Sequence, residues 1–129
     1  MALPDGCPPW TSRARGGTGE RVHGRDDGKR LGMAELGAEL GERATLVQFS
    51  SAFCAPCRAT RRVLGEVAGM VPGVTHVEID AEAHLDLVRA LEILKTPTVL
   101  VLDACGRVVR RATGQPRKAD VIAALAAAV

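Results

Sequence analysis

Tyrosine is absent from this 129-residue sequence, and the aromatic side chains are Trp10, Phe49 and Phe53 alone. A chain so poor in rings offers no stacking platform for single-stranded nucleic acid. Its core has to be built from Ala, Val, Leu and Ile. An excess of one charge is also lacking: 17 basic against 15 acidic residues leave a formal net charge of +2, too balanced for a nucleic-acid or other polyanion partner. Long apolar runs are missing as well. No stretch approaches the roughly 18 residues of a membrane span, and Met1 to Pro9 has neither a basic n-region nor an apolar h-region. The chain as written is expected to be cytoplasmic and to use no membrane; an upstream start adding an apolar segment would make it membrane-tethered.

What is present suits one globular domain: 47% of residues are hydrophobic and 25% charged, and the length allows a single core. Residues 1 to 30 stand apart, with three Pro, six Gly and almost no large apolar side chains beyond Leu3, Trp10 and Val22. Such a segment cannot bury enough surface to offset its ordering entropy, so a flexible N-terminal tail is expected there and a folded domain over 31 to 129.

Within the domain, Met33, Leu36 and Leu40 recur at helical spacing, with Gly41 placed to end a short helix. Ala44 to Ser50 is a brief run rich in β-formers and reads as a buried strand. A helix follows the cysteines, with Ala59, Val63, Val67 and Met70 inward and Arg58, Arg61, Arg62 and Glu66 outward, until Pro72-Gly73 stops it. Val74 to Asp80 alternates as a strand, and Leu85, Val88, Leu91 and Leu94 mark another helix. Thr98 to Leu102 and Arg107 to Arg111 form a hairpin around Cys105-Gly106, and Lys118 to Val129 forms an Ala-rich terminal helix with Val121, Ile122 and Leu125 to pack. Two strands joined by a helix imply a right-handed parallel crossover, to which the hairpin adds antiparallel strands.

Four cysteines in a cytosolic chain do not read as a disulfide framework, and they are unevenly spaced. Cys7 and Cys105 stand alone and read as an incidental thiol and a turn residue. Cys54-Ala55-Pro56-Cys57 puts two thiols where a buried strand enters a helix. Unpaired N-H groups and the positive end of the helix dipole favour a thiolate at Cys54, while Cys57, one turn further in, is expected to be more buried. The spacing allows a disulfide, and Pro56 stiffens the turn where its missing N-H costs nothing. The competing reading is half a zinc knuckle, which would need Cys7, Cys105, His23, His76 or His84 to converge on the pair.

The segment Phe49-Ser50-Ser51-Ala52-Phe53-Cys54-Ala55-Pro56-Cys57-Arg58 resembles the active-site segment of thioredoxins. Thr96-Pro97-Thr98, forty residues on, is similar to the family's cis-proline loop, and Gly106 and Gly114 fall where thioredoxins place glycines. The resemblance covers residues 31 to 129. It implies an α/β thioredoxin-like three-layer sandwich with a central mixed sheet flanked by helices, and protein thiol-disulfide exchange without cofactor or metal. In it Cys54 would attack a substrate disulfide and Cys57 would resolve the mixed disulfide. Pro97 would be cis, the Thr96 backbone would pair with a bound segment as an added strand, and Phe53, Ala55, Pro56 and Gly114 would complete the substrate surface. Protein disulfides are the expected partners, a thioredoxin reductase is a candidate recharging partner, and a monomer is expected.

Four positions depart from the family pattern. Gln48 stands where thioredoxins carry a buried Asp beneath the cysteines, Ser51 and Phe53 replace the flanking Trp residues, and Ala55 replaces the commonest Gly. Gln48 reads as a hydrogen-bonded core residue, and His76 and His84 read as surface residues. A redox-sensing or docking module without turnover is the alternative that Gln48 supports. Arg58, Arg61 and Arg62 read as a solvated helix face; the sharper alternative is extra positive potential that helps the Cys54 thiolate and steers acidic partners.

Overall fold

The computed structural model describes residues 30–129, so the expected tail and the readings of Cys7, Trp10 and His23 lie outside the described residues. Within this range the elements run α1 (Met33–Leu36), β1 (Ala44–Ser50), α2 (Ala55–Met70), β2 (Val74–Asp80), a 3-10 turn (Ala81–Ala83), α3 (Leu85–Ala90), β3 (Thr98–Asp103), β4 (Val108–Thr113) and α4 (Lys118–Ala128).

All seven residues of β1 are buried, because it is an inner strand with helices over both faces. The sheet order is β2-β1-β3-β4. β2 runs parallel to β1 with Gln48 opposite Glu78, whereas β3 is antiparallel to both β1 and β4. This is the mixed sheet expected from one helical crossover and one hairpin.

Because side chains alternate along a strand, the sheet divides its apolar residues between two cores. Val47, Phe49, Val77, Ile79, Leu100 and Leu102 face one side with Leu36, Leu91 and Ile93. Ala44, Leu46, Val74, Val99 and Val101 face the other, where Leu64 and Val67 of α2 and Val121 and Leu125 of α4 cover them.

Several local expectations need correction. α1 ends at Leu36, because Gly37 takes the left-handed conformation (φ 72°) at its C-cap. Gly41 serves a different purpose: a Cβ there would collide with the Ala44 carbonyl and lie 2.8 Å from the Gly73 carbonyl oxygen. It lets three backbone segments approach. The buried stripe of α2 is Cys57, Thr60, Leu64 and Val67, with Val63 only partly buried and Met70 exposed. α3 is a turn and a half long and is stopped by Glu92 in a left-handed conformation (φ 58°), so Leu94 projects into solvent at 92% exposure instead of joining a helix face.

Candidate redox site

The sequence from Phe49 to Cys57 has to turn a buried strand into a helix within four residues, and each position answers to that. Phe53 takes a left-handed backbone (φ 56°), a conformation that a bulky side chain rarely adopts, and its ring is fully exposed. Cys54 is the N-cap of α2, and Pro56 lies in the first turn, where no helical hydrogen bond is lost. The Cys57 backbone N-H donates to Cys54 Sγ at 3.2 Å, so sulfur does here what a Ser or Asp oxygen does at other N-caps.

Cys54 and Cys57 are joined as a disulfide. The two sulfurs differ in environment: Cys57 is 1% exposed, whereas Cys54 is half-buried with its neighbours Phe53, Ala55 and Pro56 all exposed. No acidic residue occupies the first turn of α2, so nothing there opposes negative charge on Cys54.

The loop before β3 closes over this turn. Thr96-Pro97 is a cis peptide bond. The Thr96 hydroxyl stands 4.0 Å from Cys54 Sγ and 2.9 Å from the Ser51 hydroxyl, tying the loop to the strand end. Gly114, in a left-handed conformation (φ 91°), donates its N-H to the Pro97 carbonyl at 2.8 Å. Cys54, Cys57, Thr96, Pro97 and Gly114 are therefore linked into one constellation by contacts from three separate chain segments, and Phe53, Ala55 and Pro56 form its exposed rim.

Beneath Cys57 lies a polar group whose extent the sequence did not reveal. Gln48 is fully buried, and its Nε2 donates to the Cys57 carbonyl at 2.8 Å and to Ser50 Oγ at 2.9 Å. Its Oε1 meets His76 Nε2 at 3.2 Å. Both amide hydrogens and the amide oxygen are thus engaged. His76 is half-buried against α2, which corrects its assignment to the surface; burial pushes its pKa below the ordinary histidine value, against the attraction of Glu78 and with the help of Arg61. Glu78 is held below the usual carboxylate range first by its hydrogen bonds from Arg61, which meets it with two contacts of 2.8 Å. Arg61 is therefore an ion-paired bridge from α2 to β2, while Arg58 and Arg62 remain exposed. A parallel β1-β2 register in the sequence reading would have placed Gln48 and His76 on one face, but nothing in the composition fixes that register.

The remaining readings divide. His84 is exposed as expected. Cys105 lies in the β3-β4 turn, as expected, and is disulfide-bonded. Among the described residues, no three His, Cys, Asp or Glu side chains are grouped to hold a metal ion. No described helix is long and apolar enough to cross a membrane.

A strand-turn-helix disulfide facing a cis-proline loop, on a four-stranded mixed sheet between helices, defines a redox-active α/β domain. The thioredoxin family model matches residues 34–127, and the chain belongs to the thioredoxin family. Solved structures agree in fold. A mutant thioredoxin from Halobacterium salinarum superposes with a TM-score of 0.62 at 18% identity, covering 67% of this chain and 75% of its own. Thioredoxin f from spinach chloroplast gives 0.60 at 24% identity, covering 68% and 78%. Mitochondrial thioredoxin 3 from Saccharomyces cerevisiae, in its oxidized form, gives 0.59 at 17%, covering 67% and 79%. No curated protein matches the sequence.

Proposed function

We propose that this protein is a thiol-disulfide oxidoreductase acting on protein disulfides, with Cys54 as the nucleophile and Cys57 as the resolving thiol. The observation that carries the reading is the asymmetry of the pair: Cys54 caps a helix and meets solvent, whereas Cys57 is shielded. In the reduced protein, the Cys54 thiolate attacks one sulfur of a substrate disulfide, forming a mixed disulfide and releasing the other sulfur as a thiolate. Cys57 then loses its proton and attacks Cys54 Sγ; the Cys54–substrate bond breaks, and the second substrate sulfur leaves and takes up a proton. Two electrons have moved from the pair to the substrate, and the Cys54–Cys57 disulfide remains.

The exposed rim of Phe53, Ala55 and Pro56 supplies apolar contact for the substrate, and the backbone of the Thr96-Pro97 loop supplies strand-like pairing. A thioredoxin reductase is the proposed source of electrons. A cytoplasmic monomer is part of the same proposal.

Turnover of insulin disulfides with a thioredoxin reductase and its electron donor tests the activity. Reduced Cys57→Ser protein should accumulate a mixed disulfide through Cys54, and Cys54→Ser should form none. Peptide mapping after alkylation at near-neutral pH should find Cys54 labelled ahead of Cys57; the reverse order would refute the assignment. The second reading, a redox-sensing module without turnover, is favoured by Gln48, because an amide cannot accept the Cys57 proton as a carboxylate would. It predicts reversible oxidation of the pair with no catalytic insulin reduction.

A further inference from the structure

We propose that His76 is a positioning residue for the resolving half of the exchange, holding Gln48 against Cys57 and, when it gains a proton, placing a positive charge behind that thiol. The inference rests on the oxidoreductase reading and specifies which group conditions its second step.

The argument starts from hydrogen-bond valence. A backbone carbonyl only accepts, so the carboxamide nitrogen of Gln48 has to face the Cys57 carbonyl, and its oxygen has to face His76. An amide oxygen only accepts, so His76 Nε2 has to carry hydrogen. The Nε2-H tautomer is thereby fixed in the neutral ring, and Nδ1 is the atom that takes up a proton in acid. Protonation leaves the bond to Gln48 intact and changes only the charge.

The geometry then defines two separable roles. Without the donor, Gln48 Oε1 loses its partner in a fully buried site, and the carboxamide is free to turn away from the carbonyl of the resolving residue. Without the charge, the amide still holds, but nothing cationic is added on the Gln48 side of Cys57. The charged groups acting on His76 are Glu78 from its own strand and Arg61 from α2; its β1 neighbours, Leu46 opposite it and Gln48, carry none. Glu78 is committed to Arg61 by a two-contact ion pair, so the pair nearly cancels and a proton on His76 is felt as a net charge. A cation one hydrogen-bonded side chain away favours the Cys57 thiolate, the species that attacks Cys54 Sγ. The proton of Cys57 itself passes to solvent in this scheme and balances the proton taken up by the departing substrate thiolate.

The test isolates resolution. Cys54 of the reduced protein is converted to a mixed disulfide with 2-nitro-5-thiobenzoate, and release of that coloured thiolate by Cys57 is followed across pH 4.5 to 8 by stopped flow. A lone thiol gives a rate that falls tenfold per pH unit in acid; the expected wild-type curve flattens across the His76 transition and below it runs parallel to that line, several-fold above it. His76→Asn keeps an N-H donor but cannot charge, so its curve should follow the tenfold slope throughout. His76→Leu should be slower than His76→Asn at every pH.

Superimposable wild-type and His76→Asn curves would overturn the charge role, and equal rates for the Leu and Asn variants would overturn the positioning role. If His76→Leu does not fold, nitrogen chemical shifts of the wild-type imidazole decide positioning: the neutral Nε2-H form supports it and the Nδ1-H form refutes it. That spectrum does not depend on turnover. A protein that shows the expected tautomer yet fails to reduce insulin would refute the oxidoreductase reading while leaving the Gln48–His76 arrangement standing.

Discussion

The two faces of the central sheet reach the same degree of burial by different chemistry. On the face covered by α1 and α3, the strands contribute Val47, Phe49, Ile79, Leu100 and Leu102, and the polar exceptions Thr45 and Thr98 each serve one local contact. Thr45 Oγ1 accepts from the Gly41 N-H, and Thr98 Oγ1 donates to the Lys95 carbonyl. On the face covered by α2 and α4, apolar packing stops at Leu46, and the next inward position, Gln48, directs its amide group at the segment that carries the cysteines and at His76. The difference teaches where function intrudes on folding. A buried amide with three partners is not needed to close a core, but it fixes the backbone of a helix whose first turn has to hold a reactive pair.

The largest effect that could break this comparison is on the apolar face. Phe49 is fully buried on the strand that leads to the cysteines, and Phe49→Ala should destabilise the domain by about 3–5 kcal/mol, the range for deleting a large core side chain. Denaturant unfolding measures it. If the faces are divided as described, the variant at low denaturant keeps the preferential alkylation of Cys54; loss of that preference with a well-folded spectrum would show that the faces are coupled.

Gln48→Leu is next in size and acts on the other face. It leaves the Cys57 carbonyl without its donor and His76 Nε2 without its acceptor, for an expected loss of about 1–3 kcal/mol. The sharper readout is chemical: resolution of a Cys54 mixed disulfide should slow while the first attack by Cys54 is retained. Equal slowing of both steps would mean that Gln48 supports the whole turn and has no special relation to Cys57.

Stability against pH gives a smaller effect with a definite sign. The folded protein holds the His76 pKa below its ordinary value near 6.5, so as pH falls below that value the unfolded chain takes up a proton that the folded chain resists. Stability should fall as pH drops from about 6.5 through the lowered folded value, and then level off. Glu78 has its pKa lowered too, and for an acid this means stability present above the ordinary carboxylate value and lost as pH falls through the folded one. The two windows do not coincide, so thermal melts of His76→Asn should lose the higher one and keep the lower one.

Much of this was legible in the chain. The β-former run Ala44 to Ser50, the cysteine pair at its end and Thr96-Pro97 one strand away defined the sheet centre and the redox constellation, because each depends on local chemistry that residue type alone specifies. Helix ends were less legible. Between Met33 and Ala44 both Gly37 and Gly41 could stop a helix, and the choice was made by tertiary crowding of Gly41 against Ala44 and Gly73. The periodic Leu94 belongs to no helix face, because Glu92 turns the chain first. His76 was misplaced for the same kind of reason: its exposure depends on α2 lying over β2, and on a parallel register that pairs it with Leu46, facts that no short window contains.

The smallest prediction asks whether every polar side chain on the α2 face works for the site. Thr60 lies one turn after Cys57 on the buried stripe of α2, and its hydroxyl is the one fully buried side-chain polar atom among the described residues without a hydrogen-bond partner. If the hydroxyl only fills space, Thr60→Val removes a desolvated group at nearly constant shape and should stabilise the oxidised protein by up to about 1 kcal/mol. Reduction supplies a partner that the disulfide does not: a Cys57 thiolate accepts hydrogen bonds far better than a disulfide sulfur. Unfolding of the oxidised and reduced forms should therefore be compared side by side. A stabilisation that is the same in both forms makes Thr60 a packing residue. A stabilisation confined to the oxidised form would show that the orphan hydroxyl finds its partner at Cys57 once the disulfide opens, extending the polar support of the cysteines from β1 into α2 itself.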